Sequence, residues 1–265
     1  MDLHGKQVLL TGATGGIGQA SAIELDRAGA NLTILGRCPE KLEALEEKLS
    51  GKHKRLIADL NDQTQSRAVL QHCQQHGLDV LINAVGVMDF HIFDSQDPAA
   101  IERMVHTNLL SPMLLCQHLL PCLMSRPKSA IVNIGSIFGS IGHPGFTAYC
   151  ATKFGLRGFT EALQRELADT PVSVSYLAPR ATRTDLNSSA VTELNLALGN
   201  TTDEPEQVAA ELIKILEGKH RHRYMGWPES LYVRVNGLLP GLVHDALTRK
   251  LPVIRQHAPR RDIET

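Results

Sequence analysis

Short apolar runs alternate with amphipathic stretches as far as Leu216, and this alternation constrains the fold more than any other feature of the chain. Val8-Leu9-Leu10 reads as a strand, and Gly16 to Ala28 as a helix closed by Gly29. Leu32-Thr33-Ile34-Leu35 is a second strand. Pro39 to Leu49 is a helix, with Pro39 in its first turn and Leu42, Leu45 and Leu49 as its apolar stripe. Arg55-Leu56-Ile57-Ala58 is a third strand, followed by a helix from Gln63 to His76, and Val80-Leu81-Ile82 is a fourth. A long helix runs from Pro98 to about Met124, with a disturbance expected near Pro112. Ala130 to Ile134 is a fifth strand, Thr147 to Ala168 a helix, Val172 to Leu177 a sixth strand, Pro205 to Leu216 a helix, and Arg223-Tyr224-Met225 a last strand. Strand–helix alternation at this spacing predicts an α/β fold with a doubly wound parallel sheet of about seven strands, helices on both faces. Right-handed crossovers then put a ligand crevice at the carboxyl ends of the strands.

Composition narrows the class. The 265 residues are 43% hydrophobic, enough for a sizeable core, and no linker, repeat or low-complexity stretch divides them, so one domain over 1–265 is expected. A formal net charge of −1 gives no global argument for nucleic acid. No apolar run approaches membrane-spanning length, and the first twenty residues do not read as a signal peptide. Cys38, Cys73, Cys116, Cys122 and Cys150 are scattered without a C-x-x-C, which suggests reduced thiols in a cytoplasmic protein and no metal site.

The first strand–helix junction carries Thr11-Gly12-Ala13-Thr14-Gly15-Gly16-Ile17-Gly18. Glycines there allow close backbone approach and positive φ, and a helix N-terminus favours an anion, so the turn reads as a phosphate-binding element for a dinucleotide. No G-K-[ST] follows, which argues against a nucleoside triphosphatase. An NAD-preferring site usually has an acidic residue at the end of the second strand. Here Leu35 is followed by Gly36 and Arg37, whose guanidinium suits a 2′-phosphate, so NADP(H) is expected over NAD(H). A solvated loop arginine would look the same.

Tyr149 stands four residues before Lys153, on one helix face, and a cation beside a phenol is expected to lower its pKa and fit it for acid–base work. Ser136 follows the fifth strand at its carboxyl end, where its hydroxyl would face the same crevice.

Taken in order, these motifs resemble the short-chain dehydrogenase/reductase family from Lys6 to about Leu216, which implies a Rossmann-type sheet. The glycine turn (Thr11, Gly12, Thr14, Gly15, Gly16, Ile17 and Gly18) matches the family's cofactor turn, and Asp59-Leu60 the pair beside the adenine ring. Asn83-Ala84-Val85-Gly86 is similar to its N-N-A-G motif, with Ala84 in place of the second asparagine and Val85 in place of the alanine. That substitution puts one polar contact to the cofactor in question. Asn108 matches the asparagine of the long helix, and Pro179-Arg180 with Thr184 resembles the P-G-x-x-x-T stretch after the sixth strand. The resemblance implies that Tyr149 donates a proton to a carbonyl oxygen or accepts one from an alcohol. It implies that Lys153 tunes Tyr149 and holds the nicotinamide ribose, that Ser136 bonds the substrate oxygen, and that Asn108 positions a water in a proton relay. A helix-bend amide bonded to backbone is the structural alternative for Asn108. Arg180 replaces the usual glycine; it could narrow the site or add a cation, and it is expected to point to solvent. The family also implies a homodimer or homotetramer.

Residues 185–203 correspond to the family's variable substrate lid. Leu186, Ala190, Val191, Leu194, Leu196, Ala197 and Leu198 make it apolar, which argues for a hydrophobic carbonyl or alcohol, though helix burial would explain the same residues. Residues 227–265 form an extension. Leu231, Val235, Leu238, Leu242 and Ala246 lie at helical spacing, and Gly237, Pro240 and Gly241 must kink or break the helix. Packing on the core or on a second subunit is the expected use of that stripe, with a membrane interface as the alternative. Ten basic residues between Lys214 and Arg261 are opposed by Glu217, Glu229 and Asp245, which reads as a solvated face or a contact with an acidic membrane surface or partner. Two further functions stay open beside an oxidoreductase: a redox-sensing binding protein without turnover, and a membrane-peripheral scaffold.

Overall fold

The structure is a computed structural model that describes residues 1–51, 53–218 and 221–259. Lys219, Arg260 and Arg261 of the basic stretch lie outside the described residues. In chain order the elements are β1 (Gln7–Thr11), α1 (Gly16–Arg27), β2 (Asn31–Gly36), α2 (Pro39–Glu46), β3 (Lys54–Ile57), α3 (Gln63–His76), β4 (Val80–Asn83), α4 (Pro98–Val105), α5 (Ser111–Met124), β5 (Ser129–Ile134), α6 (Thr147–Glu166), β6 (Val172–Ala178), α7 (Ser189–Ala197), α8 (Pro205–Leu216), β7 (His222–Tyr224), α9 (Glu229–Leu238) and α10 (Pro240–His257).

The seven strands form one sheet in the order β3-β2-β1-β4-β5-β6-β7, and every neighbouring pair is parallel. Consecutive residues of a strand point to opposite faces, and both faces are covered. Leu10, Ile34, Ile82 and Val132 face Leu25 of α1, Leu42 of α2 and Leu212 of α8. Leu9, Leu81, Ile131 and Val174 face Val69 of α3 and Leu119 of α5. Leu9 and Leu10 are both fully buried, so truncating either to alanine costs about 2–5 kcal/mol. The chain order reverses between β1 and β4, and a parallel sheet opens its ligand crevice at such a point.

Local signals start the helices. Pro39 and Pro98 lie in the first turns of α2 and α4, and the Asp62 carboxylate accepts from the Thr64 and Gln65 amides at the start of α3. The single long helix expected from Pro98 to Met124 is α4 and α5 joined by a π-helical turn, His106–Leu110. Pro112 has no N–H to return to the carbonyl of Asn108, so the regular ladder opens there.

The extension also breaks, at Leu239 between α9 and α10, inside the stretch from Gly237 to Gly241 where a kink or break is expected, and Leu238 and Leu242 of the expected stripe do not pack. Val233, Val243 and Leu247 pack instead against Ile137, Ile141 and Tyr176. Leu238 and Leu242 are 81% and 61% exposed, and Trp227 is 71% exposed. No helix among the described residues is long and apolar enough to cross a membrane. The five cysteines are unpaired.

Candidate active site

A cavity of about 530 Å³ opens at the carboxyl ends of the strands. Gly12, Thr14, Gly15, Gly16, Ile17, Gly18, Arg37, Asp59, Leu60, Ala84, Gly86, Ser136, Tyr149, Lys153, Pro179 and Thr184 all line it, so sixteen of the expected residues converge. Three do not. Thr11, Asn83 and Asn108 lie behind the wall.

The glycine turn fits a phosphate-bearing ligand. Gly12 has φ +65°, and a Cβ there would sit 2.8 Å from the backbone of Ala84 and Val85. A Cβ at Gly18 would meet the Gly12 carbonyl oxygen at 2.1 Å. No side chain caps α1 at Gly15, and its first turn holds no acidic residue. The amides that a helix leaves unpaired at its start are therefore free for an anion. Thr184 closes over the turn, within 2.6 Å of where a Gly16 Cβ would lie. Beyond the end of β2, Arg37 is exposed, and Lys41 from the first turn of α2 lines the same side of the cavity. Lys41 had not stood out in the sequence, although it lies four residues after Arg37.

The residues behind the wall hold the frame. Thr11 donates to the Ile82 carbonyl at 3.2 Å and accepts from the Ala84 amide at 3.1 Å, tying β1 to the end of β4. Asn83 pairs in register with Asn133 and donates to its Oδ1 at 2.8 Å, while Asn133 donates to Thr160 at 2.9 Å. Asn108 is fully buried. Its Oδ1 accepts from the Val87 amide at 2.8 Å, and its Nδ2 donates to the Val87 carbonyl at 2.8 Å and to Thr152 Oγ1 at 3.2 Å. Its side chain is therefore the backbone-bonded helix-bend amide, and the same turn brings it to the cavity's edge. A Cβ at Gly86 would lie 3.7 Å from both Asn108 Oδ1 and Lys153 Nζ.

Ser136, Tyr149 and Lys153 meet at the cavity's deep end. Ser136 stands in extended backbone after β5, and Tyr176 fixes it there: the Ser136 amide donates to the phenol oxygen, which donates to the Ser136 carbonyl, each at 3.3 Å. The Tyr149 hydroxyl bonds the Ser136 side chain. Lys153 Nζ donates to the Ile134 carbonyl at 3.2 Å and lies 5.6 Å from the centroid of the Tyr149 ring. The expectation that Lys153 lowers the phenol's pKa is not met in this structure. Burial pushes Tyr149 well above the usual phenol range, and the bond from Ser136 opposes it only in part. The same burial pushes Lys153 down to about 8. The ammonium is bonded to the Ile134 carbonyl, and desolvation is the largest influence on both groups.

Arg180 lines the cavity and does not point to solvent. Nε and Nη2 donate to Asp203 Oδ1 at 3.0 and 2.7 Å, and Nη1 to Glu229 Oε2 at 3.1 Å. The guanidinium is thus spent on two carboxylates, joining the end of the segment around α7 to the start of α9. The rest of this end is apolar. Phe138 stacks on His143 at 4.9 Å and meets Tyr149 edge-on at 6.4 Å, and Phe146 stacks on Phe90 at 4.8 Å. Val191 and Leu194 of α7 are buried against Phe146 and Ile254, whereas Leu196 is 77% exposed. The rings at Phe138 and Phe146, and Tyr232, Leu247 and Lys250 of the extension, had no sequence signal beyond proximity to Ser136 and Tyr149 or helical spacing. Among the described residues no cluster of His, Cys, Asp and Glu could hold a metal ion.

Comparison with known proteins agrees with this geometry. A family profile described as short chain dehydrogenase matches residues 6–195. The chain is 36% identical over 192 residues to a 3-oxoacyl-[acyl-carrier-protein] reductase FabG from Pseudomonas aeruginosa, covering 70% of this chain and 77% of that one. It is 31% identical over 254 residues to dehydrogenase/reductase SDR family member 7B from Bos taurus, covering 89% and 78%. The crystal structure of a short-chain dehydrogenase from Streptomyces avermitilis superposes with a TM-score of 0.78 at 25% identity, over 95% and 98% of the two chains. The chain belongs to the short-chain dehydrogenase/reductase family. It is an oxidoreductase of that family, acting on carbonyl or alcohol substrates with a nicotinamide cofactor.

Proposed function

We propose that this protein is an NADP-dependent oxidoreductase whose substrate is an apolar carbonyl compound or the matching alcohol. The observation that carries the reading is the convergence of Ser136, Tyr149 and Lys153 on a cavity whose other end is the uncapped start of α1. The glycine turn and α1 amides hold the cofactor's phosphates, and Thr184, Pro179, Ala84 and Gly86 line its path. Asp59 and Leu60 flank the adenine, and Arg37 with Lys41 supplies two cations for a 2′-phosphate. Lys153 holds the nicotinamide ribose. When bound, the nicotinamide supplies or accepts hydride.

The chain's own residues manage the proton. Ser136 donates to the substrate oxygen and stabilises charge developing there. Tyr149 gives its proton to that oxygen in reduction and takes it back in oxidation. Burial keeps Tyr149 protonated at neutral pH, the form a general acid requires. Lys153 loses its proton more readily than an ordinary lysine and passes it to the phenolate left when Tyr149 has given up its own. Asn108 fixes Val87 and the π turn beside Lys153, and thereby the edge at which a relay water enters. Residues 185–203 act as the lid, with Val191 and Leu194 toward the apolar end.

The reading covers one catalytic domain over 1–265 in the cytoplasm, supported by the unpaired thiols. Exposed Trp227, Leu238, Leu239 and Leu242 favour a homodimer or homotetramer that covers them. Contact of the same surface with a membrane is the alternative, and liposome co-sedimentation against solution mass separates the two. The central test is a panel of aromatic and long-chain aldehydes and ketones followed by NADPH absorbance. Turnover faster with NADPH than with NADH is expected. Cofactor binding without turnover of any panel member would favour a sensor and count against the enzyme.

A further inference from the structure

The charged side chains that line the cavity sort by position, and all but one are accounted for. Arg37, Lys41 and Asp59 lie beyond β2 and β3, at the cofactor's end. Asp185 is exposed and follows Thr184, which packs over the glycine turn. Lys153 bonds the Ile134 carbonyl, and Arg180 and Glu229 bond each other. Lys250 remains. It comes from α10, is half-buried, and its ammonium has no hydrogen bond or ion pair among the described residues.

Leu247 stands one turn earlier on α10, and Tyr232 comes from α9; both line the cavity. His143, which lines the same cavity, is held neutral: burial pushes its pKa down to about 4, the bond to Pro144 opposes that in part, and the charge of Lys250 adds to it. His143 Nδ1 is committed to the Pro144 carbonyl at 2.8 Å. A cation that lines a cavity without a counterion is open to an anion on the ligand.

We propose that Lys250 is the anchor for a carboxylate on the substrate, so that the enzyme acts on apolar, ring-bearing or long-chain carbonyl acids or hydroxy acids. The acid's reacting carbon lies at Ser136 and Tyr149, its apolar body runs along Phe138 and Phe146, and its carboxylate ends at the ammonium of α10. One lysine with no arginine fork and no second free cation beside it matches a monoanion better than a phosphate dianion. The extension thereby joins substrate recognition, since Lys153 and Arg180, the other cations lining that end of the cavity, are already bonded.

This inference rests on the proposed function for the reacting end but is tested without turnover. Full-length protein saturated with NADP⁺ is titrated calorimetrically with 6-phenylhexanoate, 6-phenylhexyl phosphate and 6-phenylhexanamide. Wild type is expected to bind the carboxylate about tenfold more tightly than the amide, as for a charge-assisted hydrogen bond. Lys250→Met should abolish that preference, Lys250→Arg should keep it, and the melting temperature reports that each variant folds. Equal affinity for acid and amide in wild type, no binding of the acid, tighter binding of the phosphate, or a preference that survives in Lys250→Met overturns the proposal. Tyr149→Phe should retain the preference, so a failed carbonyl panel and a failed anchor remain distinguishable.

Discussion

Asn108 offers a perturbation whose size follows from the structure. Its fully buried amide makes three hydrogen bonds, two to the backbone of Val87 and one to Thr152. Asn108→Ala removes all three and leaves the Val87 N–H and C=O and the Thr152 hydroxyl short of a partner. Val87 is only half-buried, so water recovers part of its loss; the Thr152 bond is fully buried. At about 1 kcal/mol for each bond, the expected cost is about 3 kcal/mol. For a chain of this length that lowers the midpoint of thermal unfolding by about 6–12 °C. The measurement is differential scanning calorimetry of the cofactor-free protein, with chemical unfolding as a check. A loss below about 1 kcal/mol would refute the view that this amide holds the π turn to the end of β4. Cofactor binding should weaken as well, because Val87 follows Gly86 along the cavity wall.

Lys153→Met should narrow its stability gap to wild type as pH rises, if it starts the more stable. The folded pKa of Lys153, about 8, lies below the ordinary lysine value of 10.5, so the unfolded chain holds the proton more tightly. Burying the charge therefore costs wild type up to about 3 kcal/mol below pH 8, because a tenfold change in proton affinity is worth about 1.36 kcal/mol. That cost fades between pH 8 and 10.5, so wild type should gain on Lys153→Met across this window in paired melts, and parallel profiles would count against it. Arg37→Ala should weaken NADPH binding about tenfold and leave NADH nearly unchanged, with Lys41→Ala adding to the loss. Equal losses for both cofactors, read by thermal shift, would show that neither side chain meets the 2′-phosphate.

Much of the fold was legible because its signals are local. Alternating apolar runs, Pro39 at a helix start and the glycines that open α1 each act within a few residues of where they stand. Tyr149 and Lys153 were legible for the same reason, since helical spacing alone puts them on one face. What the sequence did not reveal depends on contacts made across the chain. Arg180 meets Asp203 and Glu229, 23 and 49 residues away, so nothing beside it marked it as paired. Asn83 meets Asn133 only through the β4–β5 register. The extension packs through Val233, Val243 and Leu247, and not Leu238 and Leu242, because contacts with the distant Ile137, Ile141 and Tyr176 select the buried face. The direction in which Tyr149 moves was missed because burial outweighs a cation that lies over the ring face. Lys41 was within reach of spacing. Lys250 was not, because α10 reaches the cavity only after α9 and the break.

The most direct test of the proposed chemistry is single-turnover oxidation of bound NADPH, with the best carbonyl substrate of the panel, by wild type and Tyr149→Phe. The substitution removes one hydroxyl from a buried ring and leaves Lys153 and the glycine turn in place. If Tyr149 is the general acid, NADPH affinity should stay close to wild type while the rate falls about 10²- to 10⁴-fold. A rate within about tenfold of wild type at unchanged NADPH affinity would contradict the account.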